Sequence, residues 1–356
     1  MDAHALLLAK TQAMTEQGRK ALSLVLQVGA SSGEGARAAH DQPTVASGAH
    51  ASDPAEAIHD LRVALRRLRT VLRPMRIVYG KRALAVAESR LRAILDLTSE
   101  LRDEEVLRET LNALSLKEGV REPLERWMEG RARRERGFRN RATRALSGGN
   151  TTLLDAGVGV CLDELEAKVS QGPKHVCALE TFQRGALGRA LDDLDERVET
   201  SNIDDSESMH RVRIGAKRLR YVAELLGELV NEAASIAFLA GTVADPTIKR
   251  ARTTDLRRLE RSSTRIQKRL GHLHDLDEAL QRMGRAWGLD KGPRASVLKA
   301  LMQARQVAAH KSSTELSEEL ARIRVASARL LDGPANGTDT LSVTRPHNDA
   351  EEDAAS

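Results

Sequence analysis

The sequence predicts an all-α protein, and three observations carry that prediction. Ala, Leu, Arg and Glu dominate the 356 residues while aromatics make up 2 %, so strong helix formers displace strand formers. Apolar residues recur with a helical period along most of the chain. Pro and Gly cluster between the periodic stretches, where helices begin and stop.

Residues 2–28 read as a first helix. It ends in GASSGEGARAAHDQPTVASGAHAS, a stretch poor in apolar residues that reads as a loop. Asp53-Pro54 then supplies an N-cap with proline at the first helical position, and this helix runs to about Tyr79, bent at Pro74 and stopped by Gly80. Helical patterning follows over 81–115, 120–147 and about 151–170, with Ser-Gly-Gly-Asn at 147–150 and Gln-Gly-Pro at 171–173 as breaks. Further helices are predicted over 175–199, 207–231, 251–287 and 293–331, with Gly241, Asp245-Pro246 and Gly292-Pro293 in the connections. Beyond Gly333 apolar periodicity is lost, which predicts a disordered acidic tail over 332–356.

The chain carries a formal charge of +5, but the tail from Asp332 holds six acids against one Arg, leaving the preceding residues near +10. Such an excess favours anionic partners: nucleic acid, polyphosphate or an acidic membrane surface. Cys161 and Cys177 match no metal spacing and read as idle thiols in a reducing compartment. No apolar run of about 18 residues occurs, so no membrane span is expected, and a cytoplasmic location is the default.

One phrase occurs twice. IHDLRVALRRLRTVL at 58–72 and MHRVRIGAKRLRYVA at 209–223 both place a His ahead of an Arg/Lys run, with His59 and His210 separated by 151 residues. That separation is too long for a solenoid and suggests two homologous halves of about four helices each. At 100° per residue, His59, Arg62, Arg66, Arg69 and Arg73 gather within an arc of about 80°. His210, Arg213, Lys217 and Arg220 repeat the same offsets. Leu61 and Leu68, or Val212 and Leu219, lie on the adjoining arc, so each basic stripe borders an apolar face. Solvated surface helices usually interleave signs so that i,i+4 pairs attract. These stripes do not. Like charges about 6 Å apart repel by roughly 0.7 kcal/mol in water and roughly 3 kcal/mol at an effective dielectric of 20, so two such stripes facing a groove need a bound polyanion or acids to offset them.

The two phrases resemble the signature helices of the CHAD family, the conserved histidine α-helical domains. Lys217-Arg218-Leu219-Arg220-Tyr221 and Glu224 carry the likeness most closely. Later elements answer each signature: Leu101-Arg102-Asp103-Glu104-Glu105 in the first half, Leu270-Gly271 with His274-Asp275-Leu276-Asp277 in the second. The resemblance covers nearly all of residues 1–331. It implies two pseudo-symmetric four-helix bundles in one domain: a first half over about 1–148, a connecting helical segment over about 151–170, and a second half over about 174–331. It also implies a central basic channel that binds inorganic polyphosphate. The ligands then expected are His59, Arg62, Arg66, Arg67, Arg69 and Arg73 with His210, Arg213, Lys217, Arg218 and Arg220; Tyr221, Arg102, Asp103, His274 and Asp275 support them. The long loop at 29–52, the segment at 151–170 and Glu105 in place of the commoner Asp depart from the family pattern.

Guanidinium forks suit phosphate oxygens, Lys217 adds a point charge, and a polyanion would raise the pKa of the two histidines. Asp103 and Asp275 read better as partners orienting nearby Arg or His than as anion ligands. Glu164-Leu165-Glu166-Ala167-Lys168 spells the ExExK of triphosphate tunnel enzymes, but that chemistry needs a strand, and here the context is helical. His272 and His274 diverge on a helix, so no metal is expected. No cofactor fingerprint and no nucleophile elbow occur. The expectation is therefore a non-enzymatic polyphosphate binder, associated with cytoplasmic polyphosphate granules and with no cofactor. A nucleic-acid binder is the alternative, although seven aromatics offer few stacking platforms. A polyphosphate- or triphosphate-processing enzyme ranks third.

Overall fold

The structure, a computed structural model, describes residues 2–34, 54–146, 158–173, 176–240, 246–286 and 288–332. These form ten helices: α1 (Ala3–Glu34), α2 (Pro54–Tyr79), α3 (Lys81–Asp96), α4 (Ser99–Asn112), α5 (Glu118–Leu146), α6 (Val158–Ser170), α7 (Leu179–Glu199), α8 (Ser206–Leu239), α9 (Pro246–Gly284) and α10 (Lys291–Leu331). The all-α prediction holds, and no strand occurs among the described residues, only an isolated bridge between Asp2 and Ala178. The Asp53 cap, the 35–52 part of the Gly/Ser loop and the tail from Gly333 lie outside the described residues.

Boundaries differ from the sequence reading in informative ways. α1 continues to Glu34, six residues past its expected end at 28. The 81–115 segment is two helices, not one, because the chain turns at Leu97–Thr98. There the Thr98 hydroxyl donates to the Leu95 carbonyl at 2.9 Å, and Arg62 Nη1 reaches the same carbonyl at 3.1 Å and also Thr98 Oγ1. Side chains thus take over the Leu95 carbonyl, which a continuing helix would bond to a backbone N–H. Gly292-Pro293 sits inside the first turn of α10, where a missing N–H is harmless. The reversal before it falls instead at Gly288, whose φ of +85° suits glycine.

Apolar periodicity packs these helices around two cores. In the first, Leu7 of α1, Leu65 and Leu72 of α2, Leu91 of α3 and Leu162 of α6 lie fully buried together. The same cluster continues through Phe182 of α7, Leu219 of α8, Leu259 of α9 and Ile323 of α10. α6 therefore packs as a member of the first bundle, against α1 and α3. The second core joins α4 and α5 to the facing ends of α9 and α10, with Leu107, Leu111 and Leu124 against Leu276, Met283 and Leu301.

The start of the chain is tied to its middle. Ala3 N donates to the Cys177 carbonyl at 2.9 Å, and His4 Nδ1 lies 2.8 Å from the Tyr79 hydroxyl. α1 also reaches the second half through Lys10, which pairs with Glu228 of α8.

Glycine permits a close approach of α7 and α8. A Cβ on Gly215 of α8 would lie 2.9 Å from Arg197 Cδ and 3.3 Å from the Leu194 Cα of α7. Gly215→Ala is expected to destabilise the protein by about 1–3 kcal/mol by forcing α7 and α8 apart. Urea unfolding of the purified variant measures this, and an unchanged midpoint would refute the tight contact.

Candidate functional site

The two repeated phrases form the inner parts of α2 and α8. On α2 the apolar arc of Leu61, Leu65, Leu68 and Leu72 is buried in the first core, which turns the adjoining arginines toward the second half. On α8, Val212, Ala216 and Leu219 do the same from the opposite side. The stripes meet where α2 crosses α7 and α8. Arg66 is near enough to both Lys217 and Arg213 for its charge to depress their pKa values.

Between them lies a cavity of about 610 Å³. α2 contributes Arg62, Arg66, Arg69, Arg73 and Arg76 to its wall. Arg92 comes from α3, Arg189 from α7, and Lys217 and Arg218 from α8. Only three carboxylates share the wall, Glu88, Asp96 and Asp193. Nine cations face three anions. Ile77, Leu95, Ala186 and Val222 add low-polarity groups to the wall beside the hydroxyls of Thr70 and Ser99, which reduces screening.

Each carboxylate is already engaged or adjacent to a cation. Asp193 accepts from Arg218 Nη1 at 2.8 and 2.9 Å and from Arg197 Nη2 at 3.0 Å, with Arg73 3.8 Å away. Burial alone would raise its pKa, but the bonds from Arg197 and Arg218 outweigh that and hold it below the usual carboxylate range. Glu88 accepts from Arg76 Nε at 2.7 Å. Asp96 lies near Arg69, whose pKa is lowered first by burial and then by Arg92. Arg62 serves twice: it borders the cavity and, as a cation, donates to the Leu95 carbonyl at the C-terminal end of α3. Burial, then Arg66 and Arg102, bring its pKa to about 10, so it stays charged near neutrality.

Lys217 is the most perturbed wall residue. Burial, followed by Arg66, Arg213, Arg69 and Arg220, lowers it from 10.5 to about 7. A lysine so placed among arginines is costly while the cavity is empty of anions.

The structure places several of the expected ligands outside this cavity. His59 is exposed one turn before Arg62 and does not line the cavity. Arg67 is exposed and outside it too, because one further residue rotates it about 100° from Arg66. The α8 stripe divides. Lys217 and Arg218 face the cavity, whereas His210, Arg213 and Arg220 turn toward neighbouring side chains. His210 packs its ring on His274 with centroids 4.5 Å apart, and burial, then His274, Arg213 and Lys217, lower it to about 4. It is neutral at physiological pH. Arg220 lies over its neighbour Tyr221 at 4.3 Å, a cation–π contact. Arg213 lies against Gly271 of α9, where a Cβ would come within 3.4 Å of its Nε. The Nε atoms of Arg213 and Arg220 and the Nδ1 atoms of both histidines are buried without a hydrogen-bond partner among the described residues.

The supporting residues gather at that end. Arg102 pairs with Glu105 at 3.4 Å and Glu109 at 3.6 Å, while Asp103 takes Arg282 of α9 at 3.0 Å. Asp275 is raised by burial, against the opposing pull of Arg213, His274, Arg102 and His272. ExExK lies on helix α6, where Glu164 pairs with Arg90 of α3 and Glu166 with Arg19 of α1 at 2.7 Å. No three metal-ligating side chains converge among the described residues, and no described helix is long and apolar enough to cross a membrane. Cys161 and Cys177 are both free, with thiols raised by burial.

Sequence reasoning missed Arg76, Arg92, Arg189 and Asp193. Arg76 continues the three-and-four spacing of Arg62, Arg66, Arg69 and Arg73 beyond Pro74, a signal that was present. Arg189, Asp193 and Arg197 recur every fourth residue on α7, which marks a shared face but not the cavity it borders. Arg92 stands in no motif.

An all-α fold closed around a cationic cavity, with a His-led basic phrase on two opposed helices, defines the class of protein. The family model of the CHAD domain matches residues 36–242, and the chain belongs to that family. The match includes both signature helices and ends before α9, so the His274-Asp275 element lies outside it. The fold is similar to the crystal structure of the CHAD domain from the plant Ricinus communis, with 18 % identity, 92 % of this chain and 93 % of that chain covered, and a TM-score of 0.51. PptA from Streptomyces chartreusis also aligns, at 16 % identity, with 92 % and 99 % coverage and a TM-score of 0.49. No curated protein matches the chain.

The depressed pKa of Lys217 makes a stability prediction. Its folded value lies below its unfolded one, so between pH 7 and 10.5 the unfolded chain binds more protons and stability rises with pH. Lys217→Met should stabilise the ligand-free protein by about 1–3 kcal/mol near pH 7 and flatten that rise. Urea titrations across the window check it; a destabilised variant would show that Lys217 is solvated after all.

Proposed function

We propose that this protein binds inorganic polyphosphate in the cavity between α2 and α8, without catalysis. The observation that carries the reading is the imbalance of nine cations against three carboxylates around about 610 Å³. Guanidinium groups predominate, and they hold phosphate oxygens by paired N–H donors while remaining charged at any physiological pH. A linear polyanion offsets the mutual repulsion of the arginines, so binding relieves a cost built into the empty protein. The wall offers no acidic cluster free to hold catalytic metal, since Asp193 and Glu88 already accept from arginines. Association with polyphosphate granules in the cytoplasm would follow from such binding.

Nucleic acid is the competing partner. It is disfavoured by a concave wall that lacks aromatic side chains for base stacking. Titrations with long-chain polyphosphate, double-stranded DNA and single-stranded RNA at about 150 mM salt separate the two. Polyphosphate should bind most tightly and, at 100 times its Kd, stabilise the fold by about 2.7 kcal/mol. Tighter binding of DNA or RNA would overturn the proposal, and release of orthophosphate with divalent metal would make the protein an enzyme.

Two variants locate the binding. Arg66→Gln with Arg69→Gln should weaken polyphosphate binding by about tenfold or more and make its salt dependence shallower by about one to two in log–log slope. Arg134→Gln with Arg136→Gln, on the exposed face of α5, should leave both unchanged. Equal losses would mean that bulk charge, not the cavity, binds the ligand.

Binding should also take up protons. A polyanion raises the pKa of Lys217 above its free value of about 7, so affinity should fall as pH rises through and beyond that value. Lys217→Arg should abolish this slope, measured as Kd against pH.

A further inference from the structure

The outward face of α9 carries a line of cations that the cavity does not use. Between Pro246 and His272 the helix holds nine Lys or Arg residues and only two acids, Asp255 and Glu260. Arg250, Arg257, Arg261 and Lys268 are all exposed and, at 100° per residue, fall within an arc of about 40°. That arc lies opposite the buried Leu259, Ile266 and Leu270. The line is about 27 Å long at 1.5 Å per residue.

Some exposed arginines elsewhere pair with an acid four residues away, as in Arg126–Glu122, Arg184–Glu180 and Arg211–Glu207; the ridge instead aligns four cations along one face. On α9 the flanking arginines are also neutralised: Arg258 by Asp255, Arg265 by Glu319, Arg269 by Glu315. The four ridge cations have no carboxylate within ion-pair distance among the described residues. Arg257 and Arg261 stand four apart, an arrangement that mildly destabilises a helix and gives the fold nothing in return.

The ridge leads toward the cavity. It ends at the exposed His272. Gly271 beside it packs on Arg213 of α8, where a Cβ would come within 3.4 Å of Nε, one turn before Lys217 on the cavity wall.

We propose that the Arg250–Lys268 ridge of α9 is an external track for the polyanion, which continues out of the cavity past His272 along the helix. This rests on the binding function proposed above and extends it to a preference for long chains. The ridge is one charge wide, and the arginines along one flank are neutralised, which fits a single-file polyanion. A duplex presents two phosphate strands and would call for free cations on both sides.

The test compares tripolyphosphate, short enough for the cavity alone, with long-chain polyphosphate on the full chain by titration calorimetry. Arg257→Gln, Arg261→Gln and Lys268→Gln combined should weaken long-chain binding about tenfold at about 150 mM salt and reduce its salt slope by about two, with tripolyphosphate affinity unchanged. The same removal at Arg133, Arg134 and Arg136 of α5 serves as the charge-matched control and should change neither. Thermal unfolding confirms that the exposed substitutions leave the fold intact. Tripolyphosphate binding that persists while long-chain binding ignores the ridge overturns the track alone. Equal losses for both ligands, a matching loss in the control, or a larger loss for duplex DNA also overturn it. Failure of the unmodified protein to bind either polyphosphate overturns the cavity function itself.

Discussion

The structure depends on positive charge that packing forces together. Apolar arcs of α2 and α8 are buried in one core, and this brings Arg62, Arg66, Arg69 and Arg73 of one stripe to the same cavity as Lys217 and Arg218 of the other. Hydrophobic burial at about 25 cal/mol per Å² over two extended cores supplies the energy that holds them there. The repulsion is managed locally. Asp193 draws in Arg218 and Arg197, Glu88 takes Arg76, and the end of α3 receives Arg62. Lys217 is left over, and its lowered pKa records the fact.

The helices were largely legible because apolar residues recur with a helical period along most of the chain and Gly or Pro marks most of the connections. What failed was local. The break at Leu97–Thr98 depends on Arg62, 33 residues upstream, donating to the Leu95 carbonyl, and no nearby signal announces it. The site was half legible. The duplicated phrase identified the two helices, and their periodicity placed Arg62, Arg66, Arg69, Arg73 and Lys217 on one wall. Periodicity gives the direction of a side chain from its own helix axis, not what the next helix puts in front of it. Arg220 and Arg213 have the correct angle but meet Tyr221 and α9 first. His59 has the correct angle but stands too near the start of α2. Arg92 and Arg189 come from helices with no repeated phrase, so only tertiary structure joins them to the site.

Arginine has three distinct uses in this chain. Between α4 and α5, Arg131 and Arg108 neutralise the buried Glu104 and Glu135 and act as struts. Around the cavity, arginines outnumber their partners and are held by too few carboxylates. Along α9 they alternate between neutralised flanks and an unpaired crest. Composition alone cannot separate these uses, because all three appear as the same excess of one residue type; the number of acids within reach distinguishes them.

The attachment of the first residues to Cys177 and Tyr79 has a consequence for how the chain comes apart. α1 belongs to the first bundle by its core residues, yet its start is bonded next to α7 and its Lys10 to α8. The polypeptide is thereby closed into a loop spanning both halves, and neither can melt without releasing the other's anchor. Unfolding should accordingly be a single cooperative transition, and severing the chain between α6 and α7 would yield two fragments that need each other to fold.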